Sequence, residues 1–388
     1  MIRPDIKNDF PFLTKHSDAI YLDSSSTSQK PKSVIDTLHY FYNSRNANAG
    51  RGTYPLSTTL TRQIENIRTQ VQQFIHAESA HEIIFTNGAT DAQGKIAQSF
   101  LTYLKDKDEI LYSTLDHRSF VLPWIRVQKQ LAQFGKHVKL IPYSIKQTGD
   151  ANIDDLLSKI SSRTKLINIT HIHNVFGSDS DIYRLKKVRE QGVIINVDGA
   201  QSVGHSIVDV KKIGADVLSF SGHKMFASLG TGVLYIEDAL QNKLGEFTPQ
   251  ELGTKDYAGI LTLGEAITYI ENIGINNIHK HLVELTQYAI QLLKRIPGIQ
   301  FTKGIAHSPR IDGYGIVSFN IDGFNPMDIA FFLADQKIMV RAGDHCSLTP
   351  GDEVNAVRVS MHIYNSKNDI DVLVKKLTQY FSTFSRKL

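Results

Sequence analysis

The chain has 388 residues, 41% hydrophobic and 21% charged, with a formal net charge of +4. That balance excludes a disordered chain, and 43 basic against 39 acidic residues is too even for charge alone to mark a nucleic-acid surface. At about 150 residues per domain the length predicts two or three domains.

The N-terminal stretch MIRPDIKNDFPFL has neither an apolar core nor a small-residue cleavage site. No apolar run approaches the roughly 18 residues that span a bilayer, so a cytoplasmic protein without membrane partners is expected. The first 20 residues and a helix at 31–44 have no evident place in a sheet. Seven apolar, often β-branched runs follow, at 82–87, 109–114, 138–143, 165–170, 193–198, 217–222 and 232–237. Helical stretches at 91–105, 118–134 and 181–191 separate them. The alternation predicts an α/β fold with a mostly parallel seven-stranded sheet covered by helices.

From about 256 the texture changes to α+β. One helix stops near Gly274 and a second, from about 276 to 296, stops at Pro297-Gly298. A strand at 315–321 precedes a helix opening at Asn325-Pro326, a cap followed by proline at the first helical position. Two more strands follow, and Ser366-x-x-Asp369 forms a capping box for the last helix. The expected organisation is an N-terminal segment, 1–20, packing with the small domain, a large domain at 21–255 and a smaller one at 256–388.

In a parallel sheet ligands gather beyond the carboxyl ends of the strands. There the sequence places Gly88-Ala89-Thr90, Asp116-His117, His173-Asn174, Asp198-Gly199-Ala200-Gln201 and Ser221-Gly222-His223-Lys224. Each alone reads as a turn, a cap or a satisfied polar residue. Lys224 differs, because desolvation after an apolar strand lowers a lysine's pKa and makes it a Schiff-base candidate. Lysine, acid and an anion cup at a helix N-terminus are together what a pyridoxal phosphate site needs. No G-x-S-x-G elbow follows a strand, and HIH at 171–173 lacks the i, i+4 pairing of a helical metal site, so no metal is expected.

Cys346 is the only cysteine; it excludes an internal disulfide and points to a reducing compartment. By composition alone it reads as a small buried hydrophobe.

The DGAQ of 198–201 with SGHK at 221–224 resembles the class V aminotransferases of fold-type I pyridoxal phosphate enzymes, and within them the SUF-type cysteine desulfurase and selenocysteine lyase group. YLDSSSTSQKP (21–31), NANAGRG (46–52), Pro123-Trp124, RAGDHC (341–346) and VRVSMHIYN (357–365) stand in the same order, over about residues 10–385. The resemblance implies that Lys224 would hold the cofactor covalently, Asp198 would pair with its ring nitrogen and His117 would stack on the ring. Asn174 and Gln201 would reach the phenolic oxygen side. Thr90, Ser221 and His223 would bind phosphate with the backbone near Gly88 and Ala89, and Thr254 would reach the phosphate of a neighbouring subunit. Arg358 would clamp a substrate carboxylate, with Arg51 and Ser25 also on the substrate side, and Cys346 would accept sulfur, helped electrostatically by His345 and Arg341.

The implied function is a homodimeric cysteine desulfurase acting on L-cysteine, with a sulfur-acceptor protein as a possible partner. The alternatives are a related selenocysteine lyase, C–S lyase, epimerase or aminotransferase, or a non-catalytic scaffold. The sequence departs from the family pattern at Gly50, where a histidine is usual before Arg51, at Asn87 and Ala89 in the phosphate loop, and in a shortened stretch between Tyr235 and Gly253. It departs again at Asp344, an acid two residues from Cys346 that opposes thiolate formation.

Overall fold

In the computed structural model, which describes residues 2–309, 312–349, 351 and 353–384, the seven apolar runs form one sheet. A two-residue strand β1 (Ile20–Tyr21) comes first. The sheet strands are β2 (Ile83–Thr86), β3 (Glu109–Ser113), β4 (Lys139–Tyr143), β5 (Thr164–Thr170), β6 (Ile194–Asp198), β7 (Val217–Ser221) and β8 (Gly232–Ile236). Their spatial order is β2-β8-β7-β6-β5-β3-β4. All pairs are parallel except those of β8, which runs antiparallel to both β2 and β7. Strands β2, β6, β7 and β8 are buried at every position, which is why they read as unbroken apolar runs rather than alternating ones.

Helices Ala89–Tyr103 and Arg118–Gln133 lie against one face, where Phe100 and Trp124 meet edge-on at 5.2 Å within the cluster that also holds Ile110, Leu166 and Leu234. Burying each such side chain contributes about 1.5–3 kcal/mol. The stretch predicted as a helix at 181–191 is split into a 3-10 turn, Ile182–Leu185, and a short helix, Lys186–Glu190. The helix predicted at 31–44 is Lys32–Tyr40 running into a π-turn, Phe41–Arg45.

The remaining strands are β9 (Ile299–Phe301), β10 (Ile316–Ile321), β11 (Ile338–Met339), β12 (Arg341–Gly343) and β13 (Ala356–Ser360). A second, antiparallel sheet has the order β12-β13-β10-β9, while β11 pairs with β1. Asn325 caps helix Pro326–Asp335 through the Met327 N–H at 2.9 Å, and Ser366 and Asp369 make both bonds of their capping box before helix Lys367–Phe384.

The hydrophobic cores do not part at residue 255. Ile260, Leu263, Ala266, Ile267 and Ile270 of helix Tyr257–Ile273 share one cluster with Leu60, Ile64 and Ile67 of helix Pro55–Phe74. We propose a division inside the next helix, Ile275–Leu293, whose Ile278 and Leu282 join the large cluster and whose Leu285, Ala289, Ile290 and Leu293 join the small one. The N-terminal segment bridges both: Phe10 packs on Phe226, Tyr269 and Tyr364, and β1 extends to β11. Residue 1 and residues 385–388, the ends of the expected spans, lie outside the described residues. No helix among the described residues is long and apolar enough to cross a membrane.

Candidate active site

The carboxyl ends of β5, β6 and β7 open into a cavity of about 300 Å³. Its lining includes Ser25, Ala89, Thr90, His117, Asn174, Asp198, Gln201, Ser221, His223, Lys224, Cys346 and Arg358, so most of the residues expected at the site meet there. Arg51 and Thr254 do not. Arg51 is exposed ahead of helix Pro55–Phe74, and Thr254 lines a separate hollow with Asn87, Asp91 and Thr231.

Asp198 ends β6, one Oδ1 hydrogen bond away from the Ala200 N–H at 2.9 Å. Burial raises its pKa, and the nearby Lys224 charge opposes that rise. Lys224 follows β7 in a 3-10 turn, Gly222–Lys224, and desolvation lowers its ammonium to about 8 against the pull of Asp198. The site therefore keeps an acid and a lysine whose pKa values are drawn toward each other.

The anion cup follows from Gly88. Its φ of +129° is one that side-chain-bearing residues rarely adopt, and as the N-cap of helix Ala89–Tyr103 it brings no capping side chain of its own. The Ala89 N–H donates to Ser221 Oγ at 2.8 Å, which ties the helix start to the end of β7. Beside it the buried Nδ1 of His223 has no partner among the described residues. Burial and the Lys224 charge hold His223 down to about 4, so its ring is neutral. Gly232, the first residue of β8, faces both Thr86 and Ser221. A Cβ there would lie 2.5 Å from Gly88 Cα and 2.6 Å from the Phe220 carbonyl oxygen, so the cup exists only because this position has no side chain.

His117 Nδ1 accepts the Ser119 N–H at 3.2 Å, which leaves its proton on Nε2. Burial, then the Lys224 charge, lowers it to about 3, so it presents a neutral, flat ring. These groups fit pyridoxal phosphate: an amine for its aldehyde, a carboxylate for its ring nitrogen, a helix start with a hydroxyl for its phosphate and an imidazole for its face.

Arg358, also on the cavity, is 3% exposed. Its Nη2 donates to Ser26 Oγ at 2.8 Å and Asp23 Oδ1 at 3.3 Å, and its Nη1 to the Asn174 carbonyl at 3.0 Å. Its buried Nε has no partner among the described residues. Arg341 donates to the same Asp23 at 3.1 Å. Two guanidinium groups thus share one carboxylate, which leaves this wall with positive charge in excess.

Cys346 is exposed at the rim, and both it and His345 have left-handed backbone, with φ of 59° and 49°. The loop is fastened to the start of helix Arg118–Gln133: the Arg118 N–H donates to the Cys346 carbonyl at 2.8 Å and the Arg118 side chain pairs with Asp344 at 3.0 Å. Asp344 also accepts the Cys346 N–H at 3.0 Å. The acid therefore faces a guanidinium and a peptide N–H.

The expected electrostatic help from His345 is not found. Burial, then Arg358, lowers His345 to about 3, and its Nε2 meets the Ala356 carbonyl at 2.9 Å; a neutral ring brings no charge. Asp116 and His173 also differ from their expected place at the rim, for neither lines the cavity. His173 stacks on Phe176 and bonds the Leu115 carbonyl. The Asp116 carboxyl is fully buried with His173 Nε2 3.9 Å away, and burial, reinforced by Asp198 and opposed by Thr170, pushes it up to about 8.

Sequence reasoning missed Asp23, Ser26, Ser119, Thr170 and Ile172, of which the last four line the cavity. The run of hydroxyls from Ser24 to Ser28 was the available signal for the first two.

With this fold and this cavity, the chain belongs to the class V aminotransferase family of enzymes, whose model (Aminotransferase class-V) matches residues 20–373. It is 37% identical to a probable cysteine desulfurase of Halalkalibacterium halodurans over 97% of this chain and 98% of that one. It is 34% identical to a probable cysteine desulfurase of Borreliella burgdorferi, covering 98% and 96%. Among solved structures, the apo cysteine desulfurase of Thermococcus onnurineus superposes with a TM-score of 0.89 at 30% identity, over 99% of both chains. A cysteine desulfurase of Escherichia coli bearing an S-sulfonic acid gives a TM-score of 0.85 at 26% identity, over 98% of both.

Proposed function

We propose that the protein is a pyridoxal phosphate-dependent cysteine desulfurase that converts L-cysteine to L-alanine and takes the sulfur onto Cys346 as a persulfide. The observation that carries this is the meeting of Lys224, Asp198, Arg358 and Cys346 on one cavity. Bound there, the cofactor would supply the electron sink that allows the substrate Cα–H and Cβ–S bonds to break.

The chain's own residues do the rest. Arg358 binds the substrate carboxylate, held in place by Asp23 and Ser26. Lys224, with its amine held near neutrality by desolvation, takes the Cα proton and returns a proton to carbon. The Cys346 thiolate attacks the substrate sulfur: an S–S bond forms as the Cβ–S bond breaks, and the carbon fragment leaves as alanine after protonation. His117 excludes water from the ring face, and Asn174, which donates to the His345 carbonyl at 3.1 Å, couples the cavity to the cysteine loop.

The test is to mix the purified protein with pyridoxal phosphate and L-cysteine and to measure alanine and sulfide, with Cys346→Ala alongside. Alanine formation that depends on Cys346 is expected. Alanine formation unchanged in Cys346→Ala overturns the persulfide step, and no alanine from the intact protein overturns the activity.

The reading includes a homodimer, in which Thr254 and Arg51 serve the partner's cavity rather than their own, and a cytoplasmic enzyme passing sulfur to an acceptor protein. Exposed Leu252 beside Thr254 supports the dimer. A sedimentation mass of one chain at full cofactor occupancy would contradict it.

A further inference from the structure

The His223 carbonyl, one peptide before Lys224, is the meeting point of four donors from a single distant segment. The Ser28 N–H reaches it at 3.0 Å, Thr27 Oγ1 and Ser28 Oγ each at 3.1 Å, and Lys30 Nζ at 2.8 Å. A carbonyl oxygen offers two lone pairs, so this acceptor is over-supplied. Lys30 Nζ also holds the Ser28 carbonyl and, at 3.3 Å, Thr27 Oγ1, which closes residues 27–30 into a compact knot around the turn.

The turn needs holding. Phe226, two residues past Lys224, has a φ of 75°, an outlier for a bulky residue that persists only where its surroundings over-determine it. Its N–H donates to Ser28 Oγ at 2.8 Å. Thus one short segment grips the backbone on both sides of Lys224.

We propose that Lys30 is a positioning residue for Lys224: its Nζ, bonded to the His223 carbonyl, fixes the strained 223–226 turn and so the place from which the Lys224 amine captures the cofactor and moves the substrate proton. The same segment begins with Asp23, which holds Arg358 and Arg341, so the lysine and the carboxylate receptor are set from one stretch of chain.

This rests on Lys224 as the cofactor-binding lysine. The experiment uses the full chain stripped of cofactor, as wild type, Lys30→Met and Thr27→Val. Capture of pyridoxal phosphate is trapped by borohydride reduction and the modified peptide is located by mass. Displacement of a reacting group by the order of an ångström costs up to about 10²-fold, so Lys30→Met is expected to slow capture at Lys224 by about 10-fold to 10²-fold. Thr27→Val, which removes one neutral donor, shifts it the same way by less. In the loaded enzyme kcat falls while KM for L-cysteine stays put, the mark of an interaction that serves the chemical step.

Amide exchange of residues 222–227, measured without cofactor, rises in Lys30→Met. Capture rate and exchange both at wild-type values in a folded Lys30→Met protein would overturn the proposal. If Lys30→Met does not fold, Thr27→Val decides the matter by the same two readouts. If the wild type is never labelled at Lys224, the cofactor reading falls, and the exchange measurement still decides whether Lys30 holds the turn.

Discussion

Asp23 carries two arginines on one carboxylate, and that arrangement makes it the weakest point of the substrate wall. Burial lowers Arg358 to about 10, with Asp23 the main group opposing the fall. Asp23→Asn would leave a buried guanidinium without its counter-charge, a change worth about 1.5–3 kcal/mol for a charged hydrogen bond. We expect KM for L-cysteine to rise at least tenfold with a smaller change in kcat, measured by steady-state alanine formation. Lys224 gives a pH prediction. Its folded pKa of about 8 lies below the free value, and the neutral amine is the nucleophile. Cofactor capture by the stripped protein should therefore rise with pH and reach half its plateau near pH 8. Asp198→Asn removes the charge that raises Lys224, so the midpoint should move to lower pH. Lys224, Asp198, Ser221 and Thr90 were legible in the sequence because each stands directly after an apolar strand or at a helix start. Asp23 and Lys30 were not, because their partners Arg358 and His223 lie 335 and 193 residues away.

Strand β8 shows how a sheet element reaches into the chemistry. Being antiparallel, it brings its first residue, Gly232, to the end where its neighbours finish, against Gly88. Gly232→Ala should push the phosphate cup open: retention of pyridoxal phosphate through gel filtration is expected to fall sharply, by more than any loss of thermal stability would explain. The cysteine loop behaves differently. The Asp344–Arg118 pair is over two-fifths exposed on both sides, so its contribution to stability is under about 1 kcal/mol. Asp344→Ala should leave the unfolding midpoint nearly unchanged and speed amide exchange across 344–348, where two consecutive non-glycine residues sit in left-handed backbone. The sequence showed Asp344 as an obstacle to the thiol; only the fold reveals Arg118, 226 residues earlier, as its partner.

At the scale of the molecule, two hydrophobic clusters meet along one helix, and each can be struck separately. Leu263 lies in the large cluster and Leu373 in the small one, both without exposure. Truncating either to alanine should cost about 2–5 kcal/mol. The single tryptophan, Trp124, sits in the sheet–helix core and reports on the large unit alone. Leu373→Ala should lower the far-ultraviolet dichroism midpoint while leaving Trp124 fluorescence behind, whereas Leu263→Ala should shift both together. The seven strands of the large sheet were readable to within a residue or so as apolar runs, whereas β1 and β9 were not read and the run at 337–343 is split between β11 and β12, which belong to different sheets. The place where the cores part was not readable either, because helix Tyr257–Ile273 has the same apolar texture as the helices after it and its allegiance is decided by contact with Ile67. Cys346 is both exposed and alone. A sulfur held there has no second thiol in its own chain to displace it as a disulfide. Its discharge must be second-order, with a lifetime set by the concentration of an outside thiol, and any sulfane increment seen on the intact protein has one address.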